Sequence, residues 1–254
     1  MTIDERRQKI VDIINIEGST KSGVLAKRLG VTTETIRKDL IYLSEHHLIV
    51  KRHGTAQPLT EFVVGTAEQR SVENAPSKMS VAAAAAACIP ENSMIFLDAG
   101  TTVAGLARLL TERSDLVIIT NSFPVVSLLH STPNAIYFIG GLVDAVTQSS
   151  NGHWALQELG SLHIDVAFLG TSGFQSYDGP GSKIFSDVEF KRQVICSSNR
   201  SIVLADSAKF STNAIIQYAD WSDIDLLITD SGADAAAVQK LRRKVEVITA
   251  PAVV

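Results

Sequence analysis

Cysteine, proline, aromatic residues and long apolar runs are all scarce in this chain, and each shortage removes a class of protein. Cys88 and Cys196 are its only two cysteines. Two isolated thiols make neither a disulfide framework nor a zinc site, since no CxxC or clustered Cys/His spacing exists. Both read as buried, reduced side chains. The longest weakly polar run, Met79 to Ile89, ends at Pro90 and falls short of the roughly 20 apolar residues of a membrane span. The opening residues MTIDERRQKI lack the apolar stretch of a secretory signal, so the expected location is the cytoplasm, with no membrane partner. There is no GxSxG, no metal-spaced histidine cluster and no Walker loop. Hydrolytic, metal and nucleotide chemistry are therefore not expected, and no cofactor is.

What is present is globular. Hydrophobic residues make up 45% and charged residues 20% of 254 residues, with 7 prolines, which excludes disorder and fibrous folds. The length allows two domains. The net charge of -4 is unevenly spread: residues 1–58 hold ten Lys/Arg against seven Asp/Glu, for +3, and the remainder holds thirteen against twenty, for -7. A small polyanion-tolerant head on an acidic body is the expected organisation.

Three helices are expected in the head. Ile10, Ile13 and Ile14, with Ile3 a heptad earlier, mark a helix from Asp4 to Glu17 that stops at Gly18. The second starts after Ser19 and Thr20, runs through Val24, Leu25 and Leu29, and stops at Gly30. The third has Thr32 as its N-cap and a buried stripe of Ile36, Leu40 and Leu43. This is helix-turn-helix spacing, in which the last helix enters the DNA major groove. With Ile36 inward, the outward set is Glu34, Thr35, Lys38, Ile41 and Tyr42, with Arg37 on the flank and Thr32 and Thr33 at the helix start. Arg grips guanine bidentately, and Lys and Tyr hold phosphates. The following LIVKRHGT reads as a strand and tight turn, a wing bearing Lys51, Arg52 and His53. The alternative for the same face is an ordinary solvated helix in which Arg37 and Lys38 pair with Glu34 or Asp39.

The segment VTTETIRKDLIYLSEHHLIVKRHGTA resembles the signature of the DeoR family of bacterial transcription regulators, usually VSxxTIRRDLxxLxxxGxLxRxHGGA. Thr32 stands for the usual serine, Lys38 for the second arginine, and His47 and Thr55 for two glycines.

From Gln57 to Ser77 the chain carries Pro58, Gly65 and Pro76 without clear period, which reads as a linker packed as an irregular strand. Seven β-rich runs follow: Met94 to Leu97, Leu116 to Ile119, Ile136 to Ile139, Val166 to Leu169, Ile202 to Leu204, Leu226 to Ile228 and Val245 to Ile248. Helical spacers between most of them predict an α/β fold, a doubly wound, mainly parallel sheet. Such sheets bind ligands at the carboxyl ends of their strands, and here the exits are rich in small residues. Gly100-Thr101-Thr102 after Asp98 offers N–H groups, hydroxyls and a helix dipole to a phosphate. Asn121, Gly140, Gly141, Gly170, Ser172 and Gly173 occupy other exits, and Asp206 a further one. Lys191 and Lys209 supply positive charge, so a small phosphorylated or polyhydroxylated ligand is expected.

DAGTT at 98–102, TNS at 120–122, IGG at 139–141, DVAFLGTSGF at 165–174, DVEFK at 187–191 and DSAKF at 206–210 also resemble the C-terminal sensor domain of the DeoR family. The resemblance implies a sugar-phosphate sensor in which Asp98, Gly100, Thr101 and Thr102 line the pocket. Asn121, Gly140, Gly141, Gly170, Ser172 and Gly173 would shape it, and Glu189, Lys191, Asp206 and Lys209 would form its polar wall. The expected division is a winged helix-turn-helix at 1–57, a linker at 58–77, and a sensing and oligomerising body at 78–254. Expected partners are double-stranded operator DNA, a phosphorylated sugar, and a second or further copy in a homodimer or homotetramer.

The sensor fold also resembles ribose-5-phosphate isomerase, so a sugar-phosphate isomerase-like enzyme fused to a DNA-binding head is the competing reading. In it Glu189 would act as base, with Lys191 or Lys209 as electrophile. The isomerases carry an Asp-Gly-Ala-Asp stretch where this chain has Gly170-Thr171-Ser172-Gly173. The carboxylates of that motif are missing, and the expectation is a switch with no enzyme activity.

Overall fold

Alternating apolar runs and short polar turns give this chain 10 α-helices and 14 strands among the residues described. The computed structural model describes residues 2–17, 20–45, 49–52, 55–58, 65–174 and 178–252. These divide into two units, Met1–Val63 and Val64–Val254.

The first unit contains α1 (Ile3–Glu17), β1 (Thr20–Lys21), α2 (Ser22–Leu29), α3 (Thr33–Glu45), β2 (Ile49–Arg52) and β3 (Thr55–Pro58). Its core is Ile10, Ile14, Leu25, Ile36, Leu40, Leu43 and Ile49, while Ile3 is exposed. Gly30 ends α2 in the left-handed conformation, at φ 66, as glycine permits. The expected start of α2 is corrected. Thr20 is spent on β1, pairing with Ala56, so the helix begins two residues later, at Ser22, without a side-chain cap. β1, β3 and β2 make a three-stranded antiparallel wing. Ser19, His46, His47 and His53 lie outside the described residues.

The second unit opens with α4 (Ala67–Val72) and α5 (Ala75–Ala86), where an irregular strand is expected. Thr66 accepts from the Gln69 N–H while the Gln69 side chain accepts from the Thr66 N–H. This reciprocal cap nucleates α4. Pro76 sits in the first turn of α5, where its missing N–H costs nothing. Then come β4 (Met94–Leu97), α6 (Thr101–Leu109), β5 (Val117–Thr120), α7 (Phe123–Leu129), β6 (Ala135–Phe138), β7 (Leu142–Asp144), β8 (Ser149–Asn151) and α8 (His153–Leu159). The chain continues with β9 (Val166–Gly170), β10 (Gly181–Ser182), α9 (Phe185–Cys196), β11 (Ser201–Leu204), β12 (Ile216–Gln217), β13 (Leu226–Asp230), α10 (Ala235–Leu241) and β14 (Glu246–Ala250).

Seven strands form one sheet in the order β14-β13-β11-β9-β4-β5-β6, every pair parallel. Alternate side chains feed two cores. Phe96, Ile119, Ala167 and Val203 face one way, with Leu159 and Val194; Ile95, Leu97, Ile118 and Phe168 face the other, with Val81 and Leu106. The chain runs from β4 outward to β6, then returns to place β9 on the other side of β4. That reversal puts the topological switch point between β4 and β9. Small antiparallel pairs, β7 with β8 and β10 with β12, stand outside the sheet. The buried reading of the thiols is corrected: Cys88 is half-buried, and Cys196, on the outer side of the last turn of α9, is exposed. No helix among the described residues is long and apolar enough to cross a membrane.

Candidate functional site

In the first unit, the face of α3 opposite Ile36 and Leu40 presents Thr33, Glu34, Arg37, Lys38, Ile41 and Tyr42 to solvent. The Thr32 hydroxyl caps the helix, accepting from the Thr35 N–H at 3.1 Å, and Thr35 is half-buried beside it. Asp39 is buried and turned to α1, where it accepts from Arg6 Nε at 2.6 Å and Arg7 Nε at 3.2 Å. The Arg7 guanidinium also lies 3.5 Å from the centre of the Tyr42 ring. Arg37 stands 3.7 Å from Glu34, both well exposed, a pairing of little energetic worth. Among the described residues Lys38 has no acidic partner. Lys51 is exposed on β2; of Arg52 only the backbone is described, paired with Thr55.

In the second unit, the switch point holds a buried polar network. Asp98 Oδ2 accepts the Gly170 N–H at 2.7 Å and the Lys191 ammonium. Lys191 also lies 3.6 Å from Asp187, one turn earlier on α9, and Asp187 accepts from the Ser182 hydroxyl at 3.0 Å. The Tyr218 hydroxyl donates to the Gly170 carbonyl at 3.0 Å, so the peptide groups on both sides of the Gly170 Cα are held. One ammonium serves two carboxylates, and burial, with the Asp98 charge, pushes the Asp187 carboxyl up. Burial pulls the Lys191 ammonium down, but Asp187 and Asp98 outweigh it and leave it raised. Lys191 therefore remains charged. Among the described residues Asp98 Oδ1 has no hydrogen-bond partner.

Beside this network lies a cavity of about 220 Å³. The β4 exit contributes Ala99, Gly100 and Thr101, and α6 adds Arg108. Ser122 comes from the start of α7, Thr147 and Gln148 from the turn before β8, and Glu68, Arg70 and Ser71 from α4. Gly100 caps α6 without a side-chain bond, so the first N–H groups of that helix remain available to an anion. A side chain on Gly100 would meet the Gly170 Cα at 3.7 Å; the two exits approach that closely.

Gly100 and Thr101 are thus the two expected residues that line the cavity. Asp98, Gly170 and Lys191 lie together in the buried network. Thr102 is buried within α6. Asn121 is buried and donates to the Ser150 carbonyl at 2.9 Å, which fixes β8 and so Gln148. Gly140 and Gly141 stand elsewhere: Gly140 donates its N–H to Glu158 at 3.2 Å, and Gly141 lines a separate hollow with Leu142 and Trp154. Gly141 at φ 145 and Gly173 at φ 151 are required by the backbone, because a Cβ would fall 2.3 Å from the Asn151 carbonyl and 2.1 Å from that of Thr212. Ser172 accepts from the Lys183 N–H at 3.2 Å. Glu189 is exposed, about 200° round the helix from Asp187, and is not gathered with the others. Asp206 sits at the β11 exit, accepting from Asn74 at 3.3 Å and the Ala208 N–H at 3.1 Å. Lys209 follows in the next turn, half-buried.

Sequence reasoning passed over Glu68, Arg70, Arg108 and Gln148, and Asp187. The spacing of Thr66 and Gln69 is the signal that would have placed α4, and the i, i+4 spacing to Lys191 the one for Asp187.

Comparison with known proteins supplies the family. Residues 6–62 match the DeoR-like helix-turn-helix domain, and residues 73–231 match the DeoR C terminal sensor domain. The chain belongs to the DeoR family of transcriptional regulators. Relatives within the DeoR family align along nearly the whole length. A putative aga operon transcriptional repressor of Escherichia coli O157:H7 is 32% identical over 96% of this chain and 93% of its own. The glycerol-3-phosphate regulon repressor of Escherichia coli K12 is 28% identical over 93% and 94%, and the regulator YulB of Bacillus subtilis 32% over 99% and 98%. Among solved structures, ribose 5-phosphate isomerase A of Methanocaldococcus jannaschii overlaps 52% of each chain at 20% identity and a TM-score of 0.39, too slight a likeness to bear on activity. DNA binding and transcription regulation follow for this chain from the two domains it carries.

Proposed function

We propose that this chain is a repressor of a sugar-utilisation operon that is released from its operator by a phosphorylated sugar. Two relatives are named as repressors, one of the glycerol-3-phosphate regulon and one of the aga operon. The observation that carries the sensor half is the cavity at Gly100 and Thr101, where free helix N–H groups and a hydroxyl meet two arginines, Arg70 and Arg108. Anions bind at helix N-termini, and Ser71, Ser122, Thr147 and Gln148, set among Ala67, Ala104, Pro124 and Leu128 of the same wall, give a polyhydroxylated body hydrogen-bonding partners. In the head, the exposed Arg37 and Lys38 of α3 read bases and phosphates, and Thr32, Thr33, Glu34, Thr35 and Tyr42 border the groove, while Lys51, Arg52 and, from the sequence, His53 contact the phosphate backbone.

The chain acts as a switch and not as an enzyme. Its buried Asp98 and Lys191 neutralise one another, its exposed Glu189 stands away from them, and the exit at Gly170 to Gly173 has no carboxylate. Ligand binding favours one arrangement of the bodies in a homodimer or homotetramer, and that arrangement spaces the heads wrongly for the operator. Self-association is supported by β6, an edge strand whose Tyr137 is 62% exposed, and by neighbouring Leu142, Val143 and Trp154 at 75%, 60% and 72%. The other edge, β14, starts at Glu246 just after Arg242, Arg243 and Lys244, charges that protect an edge from pairing. β6 has none. Bound to operator DNA, the assembly works in the cytoplasm.

A thermal-shift panel of sugar phosphates against the purified chain, with product analysis of each incubation, tests the reading. It predicts stabilisation by a phosphorylated sugar that is recovered unchanged; conversion of that sugar, or stabilisation by none, contradicts it.

A further inference from the structure

One wall of the cavity comes from α4, which precedes the segment matched to the sensor domain and falls in the stretch read from sequence as linker. The far end of this helix is anchored to the body. Asn74, just after it, donates to Asp206, and the buried Lys78 ammonium donates to the Arg70 carbonyl. The near end starts at Gly65 and Thr66, the side from which the chain arrives from the head. Between these ends Glu68 accepts from Gln148, whose backbone is held in the left-handed region at φ 53. α4 is therefore tied to a second wall of the cavity as well as to the floor of the body.

Arg70 is the group on α4 whose hydrogen bonds are incomplete. Its Nε donates to the Gly65 carbonyl at 3.0 Å, while among the described residues its two Nη groups have no acceptor and no carboxylate lies within ion-pair distance. Burial pulls the pKa of this guanidinium down; the more distant Asp187, Glu73, Asp98 and Asp144 only oppose that effect. A half-buried guanidinium with two open N–H edges on a cavity wall demands an anion, and its fork suits two phosphate oxygens at once.

We propose that Arg70 is an anion contact of the effector cavity and that α4 is the strap carrying the state of that cavity to Gly65, where the chain leads to the head. An anion held by the Nη groups and the start of α6 is joined through Nε to the Gly65 carbonyl, so occupancy orders the near end of α4. This deepens the sugar-phosphate reading and rests on it.

Amide hydrogen exchange of the full-length protein, with and without millimolar inorganic phosphate, tests both parts. Phosphate is expected to slow exchange at residues 100–104 and also at residues 65–72. Arg70→Gln is expected to weaken phosphate binding roughly ten- to hundredfold and to abolish the effect at 65–72. Arg70→Lys, which keeps the charge without the fork, is expected to bind at an intermediate level and covers the case in which the glutamine variant does not fold. Protection at 100–104 with none at 65–72 overturns the strap, and undiminished phosphate binding by either variant overturns the Arg70 contact and the strap that depends on it; both outcomes leave the pocket standing. Protection at neither segment overturns the pocket and the strap together.

Discussion

Lys191, midway along α9, is paired with Asp98 at the exit of β4, and both are buried. The same carboxylate oxygen holds the Gly170 N–H, so this one contact joins α9 to both strands of the switch point. The pair keeps Gly170 and Gly100 at the spacing that shapes the cavity edge. It positions the cavity; the ligand contacts belong to neighbours.

Replacing Lys191 by Met leaves the buried Asp98 and the half-buried Asp187 without a cation. Removing one partner of a buried pair costs about 3–5 kcal/mol, and the urea midpoint of the body should fall accordingly. Asp98→Asn in the Lys191→Met background should restore part of the loss, since the remaining uncompensated charge is removed. An unchanged midpoint in the single variant would show that the pair contributes nothing.

The raised Asp187 carboxyl gives the body an unusual pH response. Its folded pKa lies above the unfolded value of about 3.9, so between those two values the folded state holds more protons than the unfolded state. Stability there falls as pH rises, opposite in sign to the common carboxylate case. Unfolding titrations at closely spaced pH values should show this slope in the wild-type chain and its reduction in Asp187→Asn.

Much of this was legible before the fold was seen, for reasons particular residues make plain. The central strands, such as β4, β9, β11 and β13, are continuous apolar runs because both faces of the sheet are covered there, and such runs cannot be read as amphipathic; only the edge strands β6 and β14 carry exposed positions. The Gly30 stop and the Ile36, Leu40, Leu43 stripe placed α2 and α3. What escaped notice depends on contacts remote in sequence. Arg70 is set in the cavity wall by Lys78 and Asn74 packing behind α4, and nothing in its local sequence says so. Gly141 and Gly173 looked like ligand approaches, yet each is a glycine because a carbonyl from another segment fills the place of its Cβ. Glu189, which the family resemblance places on the polar wall, is exposed, and the carboxylate beside Lys191 is Asp187, one helical turn before it.

The exposed face of α3 gives a clean separation of functions. Arg37→Glu or Lys38→Glu should abolish operator binding while the thermal unfolding of the body stays where it was, because neither side chain touches the core. Lys38→Ala should weaken binding and lower the salt dependence by about one counterion. Anisotropy titrations at several salt concentrations measure both. Retained operator affinity at fixed salt in the charge-reversed variants would remove α3 from the groove.

Tyr137 and Trp154 test the edge at β6. Their exposed portions, with those of Leu142 and Val143, amount to several hundred Å² on the order of what one partner buries in a standard interface. Tyr137→Glu combined with Trp154→Glu should shift the sedimentation of the chain toward monomer and weaken operator binding, since one head alone contacts too little DNA. A mass unchanged by the double substitution would place self-association on another surface.

The central claim is that an anion in the Gly100–Thr101 cavity governs the DNA affinity of α3. The most direct measurement is the affinity of the full chain for a DNA fragment it selects from a random-sequence pool, at fixed salt, with and without the sugar phosphate that stabilises it most. The account predicts that the ligand weakens DNA binding by about tenfold or more, a coupling of ordinary allosteric size, and that Thr101→Val removes the response. Identical DNA affinity with and without a ligand that demonstrably stabilises the protein would contradict it.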